Sequence, residues 1–504
     1  MKNNLYLVLL ILITCTSCEK EFLKEEPRSV LNPTNFYVDE AGLNSGVNAA
    51  YASLRPIYGE SEVPFRLTTL GTDIFTHGKG TLGLPFNIYN PDLNSTAAEV
   101  TELWSNCYRI VNIANNVLTA APKVSMDQTK KGRLVSECLF IRALAYYWLA
   151  QQFGAVPLRL EATEGVITEA TRTPQAEIYR AMVKDLLSAE PQLEITYAQP
   201  GRITRGAVQH LLSKFYLLLK DWPNAAVYAK KVITEDGYRL EPVFNNIFLH
   251  TNQLNKEIIF SVQYENDPAN SGTAGNMSHL FFQNSYSDIP GMMRVLMWGR
   301  PFSRFAPTNY LMSLFDDLKD SRTDIWRTFE DYYYNNPAAL PTGKKLGDPI
   351  DESWRGKIEF HPTLLKYWDP TRPNVNEPRG NKDFIVFRLG EAYLIAAEAL
   401  MMQGKPQEGV VYFNELRRRA ARPGIDLSIA ASQLDINVIL EERARELAGE
   451  MHRWFDLVRT GTARQRIVTY SAAGQNMKDY HLLRPIPQNE LDRLTVPMAQ
   501  NPGY

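Results

Sequence analysis

The feature that most constrains the fold is a helical period that recurs in adjacent pairs of segments. Residues 97–121 place Val100, Leu103, Trp104, Cys107, Ile110, Val111 and Ala114 on one stripe, at spacings of three and four. Past Pro122 and a short polar turn, residues 127–152 repeat the pattern through Leu134, Leu139, Ala143, Tyr146, Tyr147 and Leu149. Two long helices joined by a short turn run antiparallel and bury facing stripes. Further helices are predicted at about 43–55, 174–190, 205–220, 223–235, 384–403, 406–421 and 434–459. Strand-type alternation is sparse, and residues 257–265 are its best candidate.

A weak internal repeat supports a solenoid of helical hairpins. Aligning Pro223 with Pro406 sets Leu211 over Leu394, Lys220 over Gln403, Asp221 over Gly404 and Ala226 over Gly409. A helix, a turn, a proline opening the next helix and a small residue at the crossing follow tetratricopeptide-like logic. A generic helical bundle is the alternative.

Between about 266 and 383 the helical pattern mostly stops. This Pro-, Gly- and Asn-rich stretch far exceeds an ordinary connection of about 4–6 residues. It holds four of the eight tryptophans, Trp298, Trp326, Trp354 and Trp368, with Tyr286, Tyr310, Tyr332, Tyr333, Tyr334 and Tyr367. Long loops on a rigid scaffold are where binding sites collect. Aromatic faces stack on sugar rings while Asn, Asp and Arg beside them bond hydroxyls. The competing reading is a small aromatic core holding the loops together. Any single ring is expected to pack in that core, and the region as a whole to expose a few.

Several chemistries are excluded or unsupported. With 54 Lys+Arg against 56 Asp+Glu the formal charge is −2, so no global positive field draws nucleic acid. Four cysteines exclude a disulfide scaffold. Cys107 and Cys138 lie in predicted helices, either as buried thiols or as a disulfide across the hairpin. Gly78, Gly80 and Gly83 satisfy G-x-G-x-x-G, but Leu84-Pro85-Phe86 and Asn90-Pro91 follow, predicting a flexible loop where a dinucleotide site needs a helix. No P-loop and no nucleophile elbow is present, and no two of the seven histidines lie within five residues. No cofactor or metal is expected, although Asp and Asn in the loops leave an irregular structural calcium open. Glu442, Glu446, Glu450 and Arg453, near Glu441, Arg443 and Arg445, share a helical face. That group is an acid/base centre or an ion-pair network locking the last long helix. The network is the expectation, and no catalytic residue is assigned. Arg417, Arg418 and Arg419 read as helix-face pairing or carbonyl capping.

The N-terminus reads as an address. Residues 5–13 are an unbroken apolar run, shorter than the roughly 20 residues a membrane span needs. Lys2 precedes it and small residues follow, the order of a secretory signal. Cys15-Thr16-Ser17-Cys18 resembles a bacterial lipoprotein cleavage box. Residues 1–17 are therefore expected to be a signal peptide and Cys18 an acylated anchor, holding the chain on a membrane surface. An ordinary signal peptide is the alternative. Glu19-Lys20-Glu21 resembles the acidic tail that sends Bacteroidetes lipoproteins to the outer face.

Taken in order, these segments resemble the SusD/RagB family of outer-membrane lipoproteins. The resemblance runs through Gly42–Arg55 (numbers 42–55), the hairpin ending in Phe153-Gly154-Ala155-Val156-Pro157, residues 383–400, Asn414–Ala420 (414–420), residues 441–461 and the final Gln500-Asn501-Pro502-Gly503-Tyr504. It implies a mainly α, tetratricopeptide-like scaffold at about 36–265 and 384–504, with few short strands and a ligand-binding insert at about 266–383, all in one domain over 18–504. It implies a non-catalytic surface protein that binds oligosaccharides and passes them to a SusC-like TonB-dependent transporter in the outer membrane. Family ligand sites lie in the loops after the first helix and in the insert, so Asp73, His77, Phe86, Tyr89, Tyr286, Met292 and Trp298 are the site candidates. A peptide binder of the same type, a surface glycosidase and a purely structural scaffold for the transporter are the competing functions.

Overall fold

The computed structural model describes residues 36–504 apart from 164, 236, 266 and 268–274. The signal-peptide segment and Cys18 lie outside the described residues.

The paired periodicity becomes a run of antiparallel hairpins. Helices Glu40–Ala52, Ala98–Ala120, Gln128–Phe153, Gln175–Ala189, Arg205–Leu218, Trp222–Thr234, Leu389–Met402 and Pro406–Ala420 each pack on the next in that order. Local chemistry sets their starts. Asp39, Asp127, Thr204 and Asp221 each accept a hydrogen bond from a backbone N–H of the first turn they cap. The helix Gln128–Phe153 is buried on every side over its last fourteen residues. A helix surrounded in this way needs no single stripe, so the spacing seen in its sequence understates its burial.

The internal repeat is real in space but shifted by one residue. Lys220 and Gly404 hold equivalent left-handed turns, at φ of +58° and +74°. Pro223 is then the second residue of its helix and Pro406 the first. In this register Gly409 matches Ala225 rather than Ala226. Gly409 passes so close to its neighbour that an added Cβ would lie 2.8 Å from the Ala397 carbonyl oxygen.

Three expected elements differ. Residues 384–388, expected in a helix, form a strand that pairs antiparallel with Ile258–Val262. Its Phe-Ile-Val-Phe run is β-branched and aromatic, and it clamps the two ends of the long insert together. The helix expected at 434–459 is two, Ile436–Glu446 and Arg453–Arg459. Gly449 at φ +76° and Met451 at φ +61° break it, so Glu450 and Arg453 leave the face shared by Glu442 and Glu446. A five-residue helix, Leu84–Ile88, follows the glycine-rich loop where only loop was expected. The preceding strand Phe75–His77 pairs antiparallel with Phe305–Pro307, so the crossover that a dinucleotide site requires is not formed there.

Cys107 and Cys138 are both buried and unpaired, which settles the choice between thiols and a disulfide. Burial pushes both thiols up. Among the described residues no helix is long and apolar enough to cross a membrane.

Candidate functional site

The carboxylate group singled out in the sequence is an ion-pair core. Glu446 accepts from Arg322 and Arg388 at 2.9 and 2.7 Å, and from Arg419. Glu442 accepts from Arg322, Arg417 and Arg445 at 2.7–3.0 Å, and Glu450 from Arg388 and Lys366. Burial works to raise the Glu442 and Glu446 carboxyls, but the surrounding guanidinia hold both far below the usual range. Carboxylates locked this way carry no proton near neutral pH and have no free lone pair facing solvent. Arg453 belongs to a second knot: with Arg466 it grips Asp73 at 2.5–2.9 Å.

The site candidates fall into two groups. Asp73, Phe86 and Tyr89 are buried, and His77 is half-buried. Asp73 is spent on the two arginines, Phe86 lies under Arg484, and the Tyr89 hydroxyl donates to the Gly71 carbonyl at 2.7 Å. His77 Nδ1 is 2.9 Å from Asn87 Nδ2, and burial lowers its pKa. This first loop reaches the insert through Lys79, which pairs with Asp288 at 2.8 Å.

The second group is one cluster. Tyr286, Met292 and Trp298 pack with Ile289, Tyr332, Tyr334, Ile350 and Phe360 into an apolar core separate from that of the scaffold. The Trp298 ring meets Tyr286, Tyr332 and Tyr333 at centroid distances of 4.9–5.2 Å, in edge-on or tilted contacts of the kind rings prefer. The Tyr286 hydroxyl donates to the Gly299 carbonyl at 2.7 Å and accepts from the Val295 N–H at 3.1 Å. Its burial pushes that hydroxyl up to about 12, so it stays protonated. Arg327 lies against the cluster's backbone, donating to the carbonyls of Trp298 and Met297 and to Gln283 Oε1 at 3.0–3.1 Å.

The rings that reach solvent are other ones. Tyr332 and Tyr334 are 2% and 1% exposed, while Tyr333 between them is 38% exposed. Extended backbone alternates its side chains, so the middle of three consecutive tyrosines turns outward. Met293 and Met297 are exposed beside buried Met292 and Trp298, and Trp354 and Trp368 are half-buried. The period-two rule applied to residues 332–334 was the available signal for Tyr333; nothing local distinguished Met293 from Met292. The cluster is thus a set of buried rings with Tyr333, Met293 and Met297 exposed around it.

Comparison with known proteins matches this architecture. The SusD family model matches residues 256–504, and a second model, described as starch-binding associating with outer membrane, matches residues 21–217. A SusD-like protein P2 of Formosa agariphila is 27% identical over 528 residues, spanning 100% of both chains. The starch-binding protein SusD of Bacteroides thetaiotaomicron is 25% identical over 422 residues, covering 75% of this chain and 74% of its own. Among solved structures, a laminarin-binding SusD-like protein superposes with a TM-score of 0.74 at 24% identity, over 93% of this chain and 100% of its own. Surface glycan-binding protein A from Bacteroides fluxus does so with the same TM-score at 22% identity. Matched along both halves and sharing that helical fold, the chain belongs to the SusD/RagB family.

Proposed function

We propose that the protein is a non-catalytic, surface-held glycan-binding lipoprotein whose insert presents the ligand platform. The observation that carries this reading is the insert's separate aromatic core, with Tyr333, Met293 and Met297 exposed and the buried Trp298 ring packed against Tyr333. A rigid aromatic face suits the apolar side of a sugar ring, and a braced ring loses little freedom on binding. The named ligands of the relatives, starch and laminarin, support a glycan over other classes. The Glu442–Glu446–Glu450 group supports binding without turnover, because each carboxylate is engaged by guanidinium or ammonium. Residues 73–89 form the flank of the platform, joined to it through Lys79. In this reading Cys18 carries the lipid anchor on the outer membrane, and a SusC-like TonB-dependent transporter receives the glycan.

Calorimetric titration of the purified protein against panels of glycans and peptides tests the reading, with Tyr333→Ala alongside. Saturable binding to at least one glycan, weakened about tenfold by Tyr333→Ala, is expected. Binding to peptides with no glycan bound overturns it, and so does hydrolysis of a bound oligosaccharide.

A further inference from the structure

The insert's arginines divide into two sets. Arg304 pairs with Glu62, Arg322 with Asp320, Arg355 with Glu330 and Glu352, and Arg379 with Glu377. Arg294, Arg300, Arg327 and Arg372 touch no carboxylate among the described residues, and these four gather around Tyr286 and Trp298. Arg294, Arg327 and Arg372 each act electrostatically on the Tyr286 hydroxyl, and Arg300 acts on Arg372.

Arg372 is the most telling. It is 3% exposed, and it donates Nε to the Asp369 carbonyl at 3.2 Å and Nη1 to the Glu377 carbonyl at 3.0 Å. Its Nη2 donates to no acceptor among the described residues. That nitrogen lies beside Gly299, whose φ of +85° suits glycine. A Cβ built on Gly299 would meet Arg372 Nη2 at 3.8 Å and Gln283 Oε1 at 3.9 Å, both at van der Waals distance. Arg300, half-buried, donates only Nη1, to the Asn376 carbonyl at 2.7 Å, and its guanidinium lies over the Phe302 ring. The carboxylates nearest to Arg372 are engaged elsewhere: Asp369 with Thr371 and the Asn381 N–H, and Glu377 with Arg379.

Asp369 attracts Arg372 more strongly than Arg300 repels it, but both guanidinia keep spare donors that an anion can join. We infer that the spare donors of Arg372 Nη2 and Arg300, beside Gly299, hold an anionic substituent of the glycan, a sulfate ester or a carboxylate, next to the aromatic cluster. Gln283 Oε1 is placed to accept from a neighbouring sugar hydroxyl. This inference rests on the glycan reading above, and names the class of glycan.

The test uses one backbone in three charge states: laminarin, sulfated laminarin, and laminarin oxidised at C6 to the carboxylate. Each is titrated against the protein, Arg300→Ala, Arg372→Gln and the double variant, with thermal melts confirming that each variant is folded. The readout is the affinity ratio of anionic to neutral polymer. A ratio of about ten or more is expected for at least one anionic form, as one charge-assisted contact supplies. Whether the sulfated or the oxidised polymer carries the preference identifies the substituent. The ratio is expected to fall toward one in Arg300→Ala and in the double variant, and to persist in Arg355→Ala, a remote surface control. A ratio near one for the unmodified protein overturns the inference, as does a ratio unchanged in the folded double variant. If all three polymers fail to bind, the inference falls while the glycan reading is decided by the panel titration above; neutral binding without charge preference likewise removes only the inference.

Discussion

Two buried clusters of this molecule are made from opposite chemistry. Around Glu446 the packing is carboxylate against guanidinium, drawing in Glu257, Arg322, Arg388 and Arg419 from four separate stretches of chain. Around Trp298 it is ring against ring, drawn from residues 286–360 alone. The ionic cluster ties the insert to the scaffold, because Arg322 and Lys366 come from the insert and Glu442, Glu446 and Glu450 from the C-terminal segment. The aromatic cluster ties the insert to itself. Charge pairs fix stoichiometry and geometry, so a missing partner leaves a bare buried charge. Rings fix only shape, so the insert's loops are held together without recruiting the scaffold.

The sharpest way to break this contrast is Glu446→Gln. Three guanidinia would face a neutral amide, and a loss of about 3–5 kcal/mol of global stability is expected. Urea unfolding followed by far-ultraviolet dichroism measures it; a loss below about 1 kcal/mol would mean the ionic cluster anchors nothing. Trp298→Ala comes next. Truncating a buried tryptophan costs about 3–5 kcal/mol locally, but here the damage is expected to stay inside the insert. Hydrogen exchange should speed across 286–360 while amides of the helix Gln128–Phe153 keep their protection. Uniform acceleration through both regions would erase the distinction between the clusters.

Acid should weaken both regions, in a stated order. Burial lowers His361 in the insert and His452 in the scaffold to about 4, so both are neutral when folded. Unfolded histidine binds its proton near pH 6.5, so the unfolded chain carries more protons between about pH 6.5 and 4. Stability therefore falls as pH drops through that window. Asp456, which burial tends to raise, is held at about 2 by Arg443 and Arg459. Its contribution is present above the ordinary carboxylate range and is lost as pH falls toward 2. Melting temperatures from pH 7 to 3 are expected to decline throughout, and a plateau between 6.5 and 4 would contradict the buried neutral histidines. The smallest effect on stability belongs to Tyr333→Ala, about 0.5–1.5 kcal/mol from its lost contact with Trp298. Its ligand affinity should fall more than its melt; a melting shift as large as that of Trp298→Ala would mean Tyr333 is part of the core.

Much of the scaffold was legible from periodicity. The hairpin 98–153, the pair of repeats around Pro223 and Pro406, and the irregular insert all follow from spacing, proline and composition. The strand at 384–388 was not, because a short apolar run is ambiguous until its partner at 258–262 is known. The break near Gly449 and Met451 was hidden for a related reason. Glu442, Glu446 and Glu450 keep helical spacing, and only Arg388 and Lys366, arriving from elsewhere, give Glu450 its place outside the helix.

The site divides along the same line. The sequence by itself determined that rings and polar residues would crowd into one insert on a helical frame, since composition and periodicity are local properties. It also placed Tyr286, Met292 and Trp298 in that region. Only the tertiary structure decided which of them face inward. Burial depends on what packs above a residue, and for Trp298 those neighbours are Tyr332 and Tyr333, more than thirty positions away. The same holds for charge: Arg379 and Arg372 look alike in sequence, yet one is closed by Glu377 and the other leaves a donor open beside Gly299.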